Sequence, residues 1–158
     1  MIVYVAIAAL LAMIGGFVLF ANSADTELEK ADVELQSISV VNVDKIKNTA
    51  DLEVVFLVKN PSDKTLTISH ISYILFGDGK RIGSGQYSTE DIAMPGRVLF
   101  VPGAEIPLKT KLSLAMTDVG NDLYDTVINN KITKFDSQGT FTVQTSWSTI
   151  DKEFKSGF

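Results

Sequence analysis

The sequence predicts an all-β protein, an antiparallel β-sandwich of immunoglobulin or fibronectin-III type with one short helix, preceded by a single transmembrane α-helix. Three observations lead there. Residues 1–21 carry no charged side chain, whereas Asn22, Ser23, Asp25, Glu27 and Glu29 follow at once. From residue 33 onward, apolar and polar residues alternate in runs of strand length. Turn residues interrupt those runs roughly every dozen positions, and only one stretch between them has helical spacing.

Taken as a helix rising ~1.5 Å per residue, Met1 to Ala21 reaches roughly 31 Å, about the thickness of a bilayer's hydrocarbon core. A helix of a globular core shows one apolar stripe and one polar face, and this segment is apolar all round. A cleaved signal peptide starts with basic residues and has a shorter apolar stretch. Here no Lys or Arg precedes Lys30, although Ala21-Asn22-Ser23 would offer a peptidase small residues. The segment is read as a retained anchor whose partner is the lipid bilayer. Ala8, Ala12 and Gly16 lie four apart and form a small-residue stripe, the kind that lets a second transmembrane helix, of another subunit or another copy, approach closely. Tyr4 at one end and Phe17 or Phe20 at the other are placed to sit at the interfaces. Neither flank has the cluster of basic residues that would hold it inside, and a long domain translocates whatever its charge. The protein is therefore expected to be single-pass, with its C-terminal domain outside the cytoplasm.

The expected organisation is a transmembrane helix over 1–21, an acidic linker over 22–32 and a sandwich domain over 33–158. About 125 residues suffice for one domain with its own core. There is no cysteine, which excludes disulfides and thiolate metal sites, so the domain relies on packing alone. A net charge of −5 with scattered basic residues argues against nucleic acid as a partner.

Within the domain, Leu52 to Val58 is apolar on both faces and reads as a central strand. Asn60-Pro61-Ser62-Asp63 ends it, because Pro fixes φ and lacks a donor while Asn and Asp bond their own backbone. The next strand, Leu66 to Phe76, starts with Leu66 and Ile68 inward. It ends with either Ile71, Tyr73 and Leu75 or Ile74 and Phe76 inward, which implies a bulge, or a change of neighbouring strand, near His70. Gly77-Asp78-Gly79 is a tight hairpin, and Gly83 and Gly85 mark an irregular edge strand. Pro95-Gly96 and Pro102-Gly103 close two further connections. Ile106, Leu108, Thr110, Leu112, Leu114 and Met116 then alternate with Pro107, Lys109, Lys111, Ser113 and Ala115. Thr117 or Asp118 can cap a short helix within 117–130 that places Val119, Leu123 and Val127 on one side, with Gly120 as its weak point. In the last region Phe141, Val143 and Trp147 alternate with Thr142, Gln144, Ser146 and Ser148.

Residues for chemistry are sparse. The single histidine, His70, lies in a strand and has no cysteine or second histidine to complete a zinc site or triad. Asp118, Asp122 and Asp125 fit the N-terminus and wet face of a helix better than a paired-carboxylate site. The glycines from Gly77 to Gly85 neither follow a strand into a helix nor end in Gly-Lys-Ser/Thr, so they are not a phosphate loop. No catalytic, cofactor-binding or metal site is predicted, no cofactor is expected, and the chain is not expected to be an enzyme.

The run Val54-Val55-Phe56-Leu57-Val58-Lys59-Asn60-Pro61-Ser62 resembles the LEA14-like family, also called the WHy (water stress and hypersensitive response) domain. There an apolar strand ends in Asn-Pro-Asn or a close relative, and a strand with an aliphatic start follows, as at Leu66-Thr67-Ile68. A Tyr before a glycine hairpin is similar to Tyr73 ahead of Gly77-Asp78-Gly79, and Val101-Pro102-Gly103 resembles the proline-containing approach to a long strand. The likeness covers about residues 33–150, and departs from the pattern at Ser62, where the family often has a second Asn. It implies a fibronectin-like sandwich with one helix, no catalysis, and a link with desiccation and other stress, membranes and protein protection. Asn60 and Pro61 are taken as fold determinants of the turn before any binding role.

The expected function is thus a non-catalytic, membrane-anchored LEA14/WHy-like domain acting in envelope or stress protection, or docking proteins at the membrane surface. The alternative is a structural or accessory subunit of a membrane or cell-envelope assembly: pilin-like, motility-stator-like, or a partner chain of a membrane enzyme. The sequence names no client protein.

Overall fold

Alternation along the chain becomes two facing antiparallel sheets. The structure, a computed structural model, describes residue 7 and residues 9–16, 26–88 and 98–158. Its strands are β1 (Asp32–Asp44), β2 (Thr49–Lys59), β3 (Leu66–Gly77), β4 (Lys80–Ser88), β5 (Leu99–Phe100), β6 (Glu105–Ala115), β7 (Phe135–Gln144) and β8 (Thr149–Gly157). Two short helices, α1 (Met116–Val119) and α2 (Asn121–Ile128), connect β6 to β7. One sheet has the order β1-β2-β6 and the other β4-β3-β7-β8, with β5 adding two residues to β3. This is the expected all-β sandwich.

The core lies between the inward faces. Leu52, Val54, Phe56 and Val58 of β2 meet Ile71, Tyr73 and Leu75 of β3, and Phe141 and Val143 of β7, all buried. Phe56 packs edge-on against Tyr73 with ring centroids 4.8 Å apart, and against Phe154 at 5.6 Å. Each such side chain contributes roughly 1.5–3 kcal/mol on leaving water. Both open edges are partly bridged. The Leu35 amide donates to Ser156 Oγ at 2.9 Å, joining β1 to β8, and Thr110 Oγ1 donates to the Gln86 carbonyl at 3.0 Å, joining β6 to β4.

β2 is central in its sheet, as its composition implied. β3 changes phase where the sequence was ambiguous: its register against β7 shifts between Ile68 and His70, which turns Ile71, Tyr73 and Leu75 inward after Leu66 and Ile68. It also exchanges neighbours there, pairing with β5 at Leu66 and Thr67 and with β4 from His70. The β3–β4 hairpin turns on Asp78 (φ 48°) and Gly79 (φ 79°), both left-handed as a two-residue turn requires. β4 is an edge strand whose register against β3 shifts between Leu75 and Phe76, and it carries Gly83 and Gly85. A Cβ on Gly85 would stand 2.5 Å from the Tyr73 hydroxyl, so the ring occupies the space that the glycine leaves empty. Pro107 sits on the edge strand β6, where a missing amide donor leaves the ladder intact.

Several expectations need correcting. The helix within 117–130 is two helices, because Gly120 at φ 84° and ψ 160° takes a conformation closed to residues with a Cβ. Their N-caps are Ala115 and Gly120 rather than Thr117 or Asp118, and neither helix has a side-chain cap. Met116 opens α1 instead of ending β6, and Val119 is half-buried while Leu123, Tyr124 and Val127 form the buried face. Trp147 is not an inward strand residue: β7 stops at Gln144, and Trp147 projects from the β7–β8 turn, 88% exposed. The Thr145 amide closes that turn on the Ser148 carbonyl at 2.8 Å.

Within the acidic linker expected over 22–32, the described residues from 26 onward pack on the domain. Leu28 and Ala31 are buried in the core cluster, ahead of β1. Residues 9–16 are helical, and no helix among the described residues is long and apolar enough to cross a membrane. Most of the expected anchor over 1–21, including Tyr4, Ala8, Phe17 and Phe20, lies outside the described residues, as do residues 22–25 and Pro95-Gly96. Ala12 and Gly16 are exposed on the described helical run, and an added Cβ on Gly16 would touch nothing within 4 Å.

Candidate functional site

Four segments converge at the end of the sandwich where the chain arrives from its N-terminus. They are residues 26–32, the β2–β3 turn, the β5–β6 turn and the β7–β8 turn, as the pairings Asp32 with Lys59, Lys59 with Glu105, Leu66 with Phe100 and Gln144 with Thr149 require. Asn60 is the centre of this end and is 1% exposed. Its Nδ2 donates to the carbonyls of Lys64 (2.8 Å) and Phe100 (2.7 Å). Its Oδ1 accepts from the Ser62 amide (3.1 Å) and hydroxyl (2.6 Å). The main chain adds two bonds, Asn60 N to the Ala104 carbonyl at 2.9 Å and Gly103 N to the Asn60 carbonyl at 2.8 Å.

One buried amide therefore joins the β2–β3 turn to the chain around β5, using both its donors and its acceptor. Only an uncharged side chain with both functions can do this in a dry site. Pro61 is exposed and Ser62 buried, and the Ser62 hydroxyl lies within the same network, where a second Asn would have to fit.

The incoming segment is tied to the same end. Glu27 pairs with Lys30 at 2.5 Å and accepts from the Asp63 amide at 3.3 Å, which together hold its carboxyl below the ordinary range. Lys152 of β8 donates to the carbonyls of Ala31 (2.6 Å) and Glu29, and lies 5.5 Å from the Phe141 ring centroid. Lys59 and Glu34 form an ion pair at 2.5 Å that raises the lysine's pKa. A cleft of about 460 Å³ lies between these groups, lined by Lys30, Asp32, Glu34, Lys59, Pro61 and Lys152 among others. The sequence reading missed this docking. The signal was Leu28 and Ala31, two apolar residues three apart within the acidic stretch.

The outer face of the five-stranded sheet forms a shallow trough of about 1160 Å³. Ser72, Gln86, Gln138, Thr140, Glu153 and Lys155 line it, and the Ser72 and Thr140 hydroxyls lie 3.0 Å apart across β3 and β7. It is a wet sheet face lined mostly by exposed and half-buried polar side chains.

At the far end, Asp78 ties the β3–β4 hairpin to the start of β7. Its carboxylate accepts from the Thr133 hydroxyl (2.5 Å) and from the amides of Thr133 and Lys134, and the hydroxyl bond above all holds its pKa low. Burial raises the pKa of Tyr73 and Tyr87, both core side chains. His70 is half-buried on β3, and Asp118, Asp122 and Asp125 are exposed on α1 and α2. Among the described residues no three His, Asp or Glu side chains are placed to hold a metal ion.

No family model and no curated protein matches the chain. Solved structures do. A protein from Archaeoglobus fulgidus is 17% identical, over 79% of this chain and 96% of its own, at a TM-score of 0.46. A candidate late embryogenesis abundant (LEA) protein, At2g46140.1, is 18% identical over 97% of this chain and 82% of its own, at 0.44. AT1g01470 from Arabidopsis thaliana is 17% identical over 80% of this chain and 76% of its own, at 0.45. One of these structures is thus that of a candidate late embryogenesis abundant protein.

Proposed function

We propose that this chain is a single-pass membrane protein that holds a non-catalytic, LEA14/WHy-like sandwich outside the cytoplasm, protecting or docking proteins at the membrane surface. The observation that carries the anchor is an apolar, charge-free run of 21 residues, Met1 to Ala21, whose described part is exposed. Ile7, Leu10, Leu11, Met13 and Ile14 are each at least half exposed, which water would penalise and lipid would not. The stress-protection reading rests on the order of Asn60-Pro61, Tyr73, the Gly77–Gly79 hairpin and Pro102-Gly103, and on the resemblance they carry.

The exposure of Ala12 and Gly16 favours a second reading, in which the same helix packs against a partner helix and the domain is an accessory subunit of an envelope assembly. Alkaline extraction of membranes tests the anchor: the full chain stays with the lipid, and its release would refute the proposal. Adding the protein to a heat-labile enzyme over a range of ratios tests protection, and an unchanged aggregation rate would remove that role. Sizing after gentle detergent extraction separates the readings, since a monomer counts against the assembly.

A further inference from the structure

We propose that the Asn60 end of the sandwich is itself a membrane-contacting surface, with Trp147, Leu99 and Val101 inserted at the boundary between headgroups and acyl chains. This inference rests on the anchor reading above. The three side chains are 88%, 61% and 54% exposed and come from the β7–β8 turn (Trp147), from strand β5 (Leu99) and from the residue that follows it (Val101), at one end of the fold. Leu99 pairs with Thr67 on one side of β3, and Thr67 pairs with Gln144 on the other, so Leu99 and Gln144, three residues before Trp147, stand about 10 Å apart, two strand spacings.

The Asn60 amide fixes the β5 segment. By holding the Phe100 carbonyl it keeps Phe100 in the core and leaves its neighbours Leu99 and Val101 facing outward. The β7–β8 turn is closed by Thr145 and Ser148, which leaves the indole of Trp147 without cover.

The bilayer is the occupant that the chain itself delivers. Only residues 22–25 separate Ala21 from the docked segment that starts at Thr26, a reach of at most roughly 18 Å when fully extended. Lys152, Glu27 and the core side chains Leu28 and Ala31 hold that segment against this same end. A domain tethered so closely by this end cannot turn its far end to the membrane. An exposed Trp at the same end as two exposed aliphatic side chains is a composition that gains at a lipid interface, where the ring is buried and its N–H stays wet. The charges here are mixed, with Glu27 and Lys30 paired to each other, so apolar insertion rather than attraction to anionic lipid provides the contact.

Trp147 is the only tryptophan in the chain, and its fluorescence reports this one site. The test uses the full chain in phosphatidylcholine vesicles, recovered by flotation. We expect blue-shifted emission, several-fold weaker quenching by iodide than for a free indole, and strong quenching by phospholipids brominated near the headgroup. The double variant L99S/V101S should regain much of the iodide access, whereas I46S, at the opposite end, should not. Native circular dichroism confirms that each variant is folded. Protein that floats but shows a water-like emission, full iodide access and no quenching by brominated lipid overturns this inference and leaves the anchor standing. Shielding from iodide without brominated-lipid quenching also overturns it, and points to a second copy as the cover. A chain that does not float overturns both readings together.

Discussion

Replacing Asn60 tests whether one buried amide holds the N-terminal end of the sandwich together. Asn60→Ala removes four side-chain hydrogen bonds. The Lys64 carbonyl keeps the Ser62 hydroxyl as a partner, but the Phe100 carbonyl, in a buried bond, loses the amide that satisfied it. Counting only the buried bond to Phe100, at about 1 kcal/mol net for the bond and about 1–3 kcal/mol for its carbonyl left bare, the cost is at least about 2–4 kcal/mol. That is a large part of the about 5–15 kcal/mol that stabilises a domain. Asn60→Asp is nearly isosteric and should do worse at neutral pH, because a carboxylate would face two carbonyl oxygens in a site closed to water. Its pKa would be raised above the unfolded value. The added cost is then absent at pH below about 3.9 and grows by about 1.4 kcal/mol per pH unit until the folded pKa is passed. Urea unfolding of the full chain in mild detergent, followed by far-ultraviolet circular dichroism at pH 7 and pH 4, measures both effects. The reasoning is refuted if Asn60→Ala stays within about 0.5 kcal/mol of the parent, the range of an ordinary surface change. It is equally refuted if the Asp variant is no worse than the Ala variant at pH 7.

Two other perturbations probe the remaining anchoring points. Leu28→Ala should cost about 2–5 kcal/mol in the same unfolding assay, since Leu28 is a core residue, whereas a free linker would tolerate the change. Asp78→Asn keeps the left-handed backbone but removes the carboxylate that binds Thr133 and Lys134. Because the folded pKa of Asp78 is depressed, the parent's advantage should be complete at pH 7 and disappear as pH falls below about 3.9 through that lower value. Melting temperatures of the pair from pH 7 to pH 2 would show the two curves converge; a constant gap would mean that the carboxylate's charge contributes nothing.

Much of the fold was legible because it depends on neighbours in sequence. Strict alternation from Ile106 to Leu114 is a property of one half-buried strand, and the Asp78-Gly79 turn follows from two residues that tolerate positive φ. Asn60-Pro61 could be recognised as the end of a strand, because proline removes a donor wherever it stands. None of those arguments says where the Asn60 amide points. Its partners Lys64 and Phe100 lie 4 and 40 residues away, and the second becomes a neighbour only when β5 pairs with β3.

The alternation of Phe141, Val143 and Trp147 misled for the same reason. A period of two holds only while the strand lasts, and Thr145 ends it by closing on Ser148. The phase of β3 was open in the sequence because Ile71, Tyr73 and Leu75 compete with Ile74 and Phe76 on nearly equal hydrophobicity. The shift between Ile68 and His70 against β7 decided it. The acidic stretch ahead of β1 looked like a tether by composition, yet Leu28 and Ala31 fill space that only the two assembled sheets create. By itself the sequence determined the charge-free run at the N-terminus, the strands and most of their turns, since each follows from local periodicity and backbone chemistry. Only the tertiary structure decided which side chains are dry, which end of the sandwich receives the incoming chain, and that Trp147 faces outward there, because those depend on contacts between segments far apart in sequence.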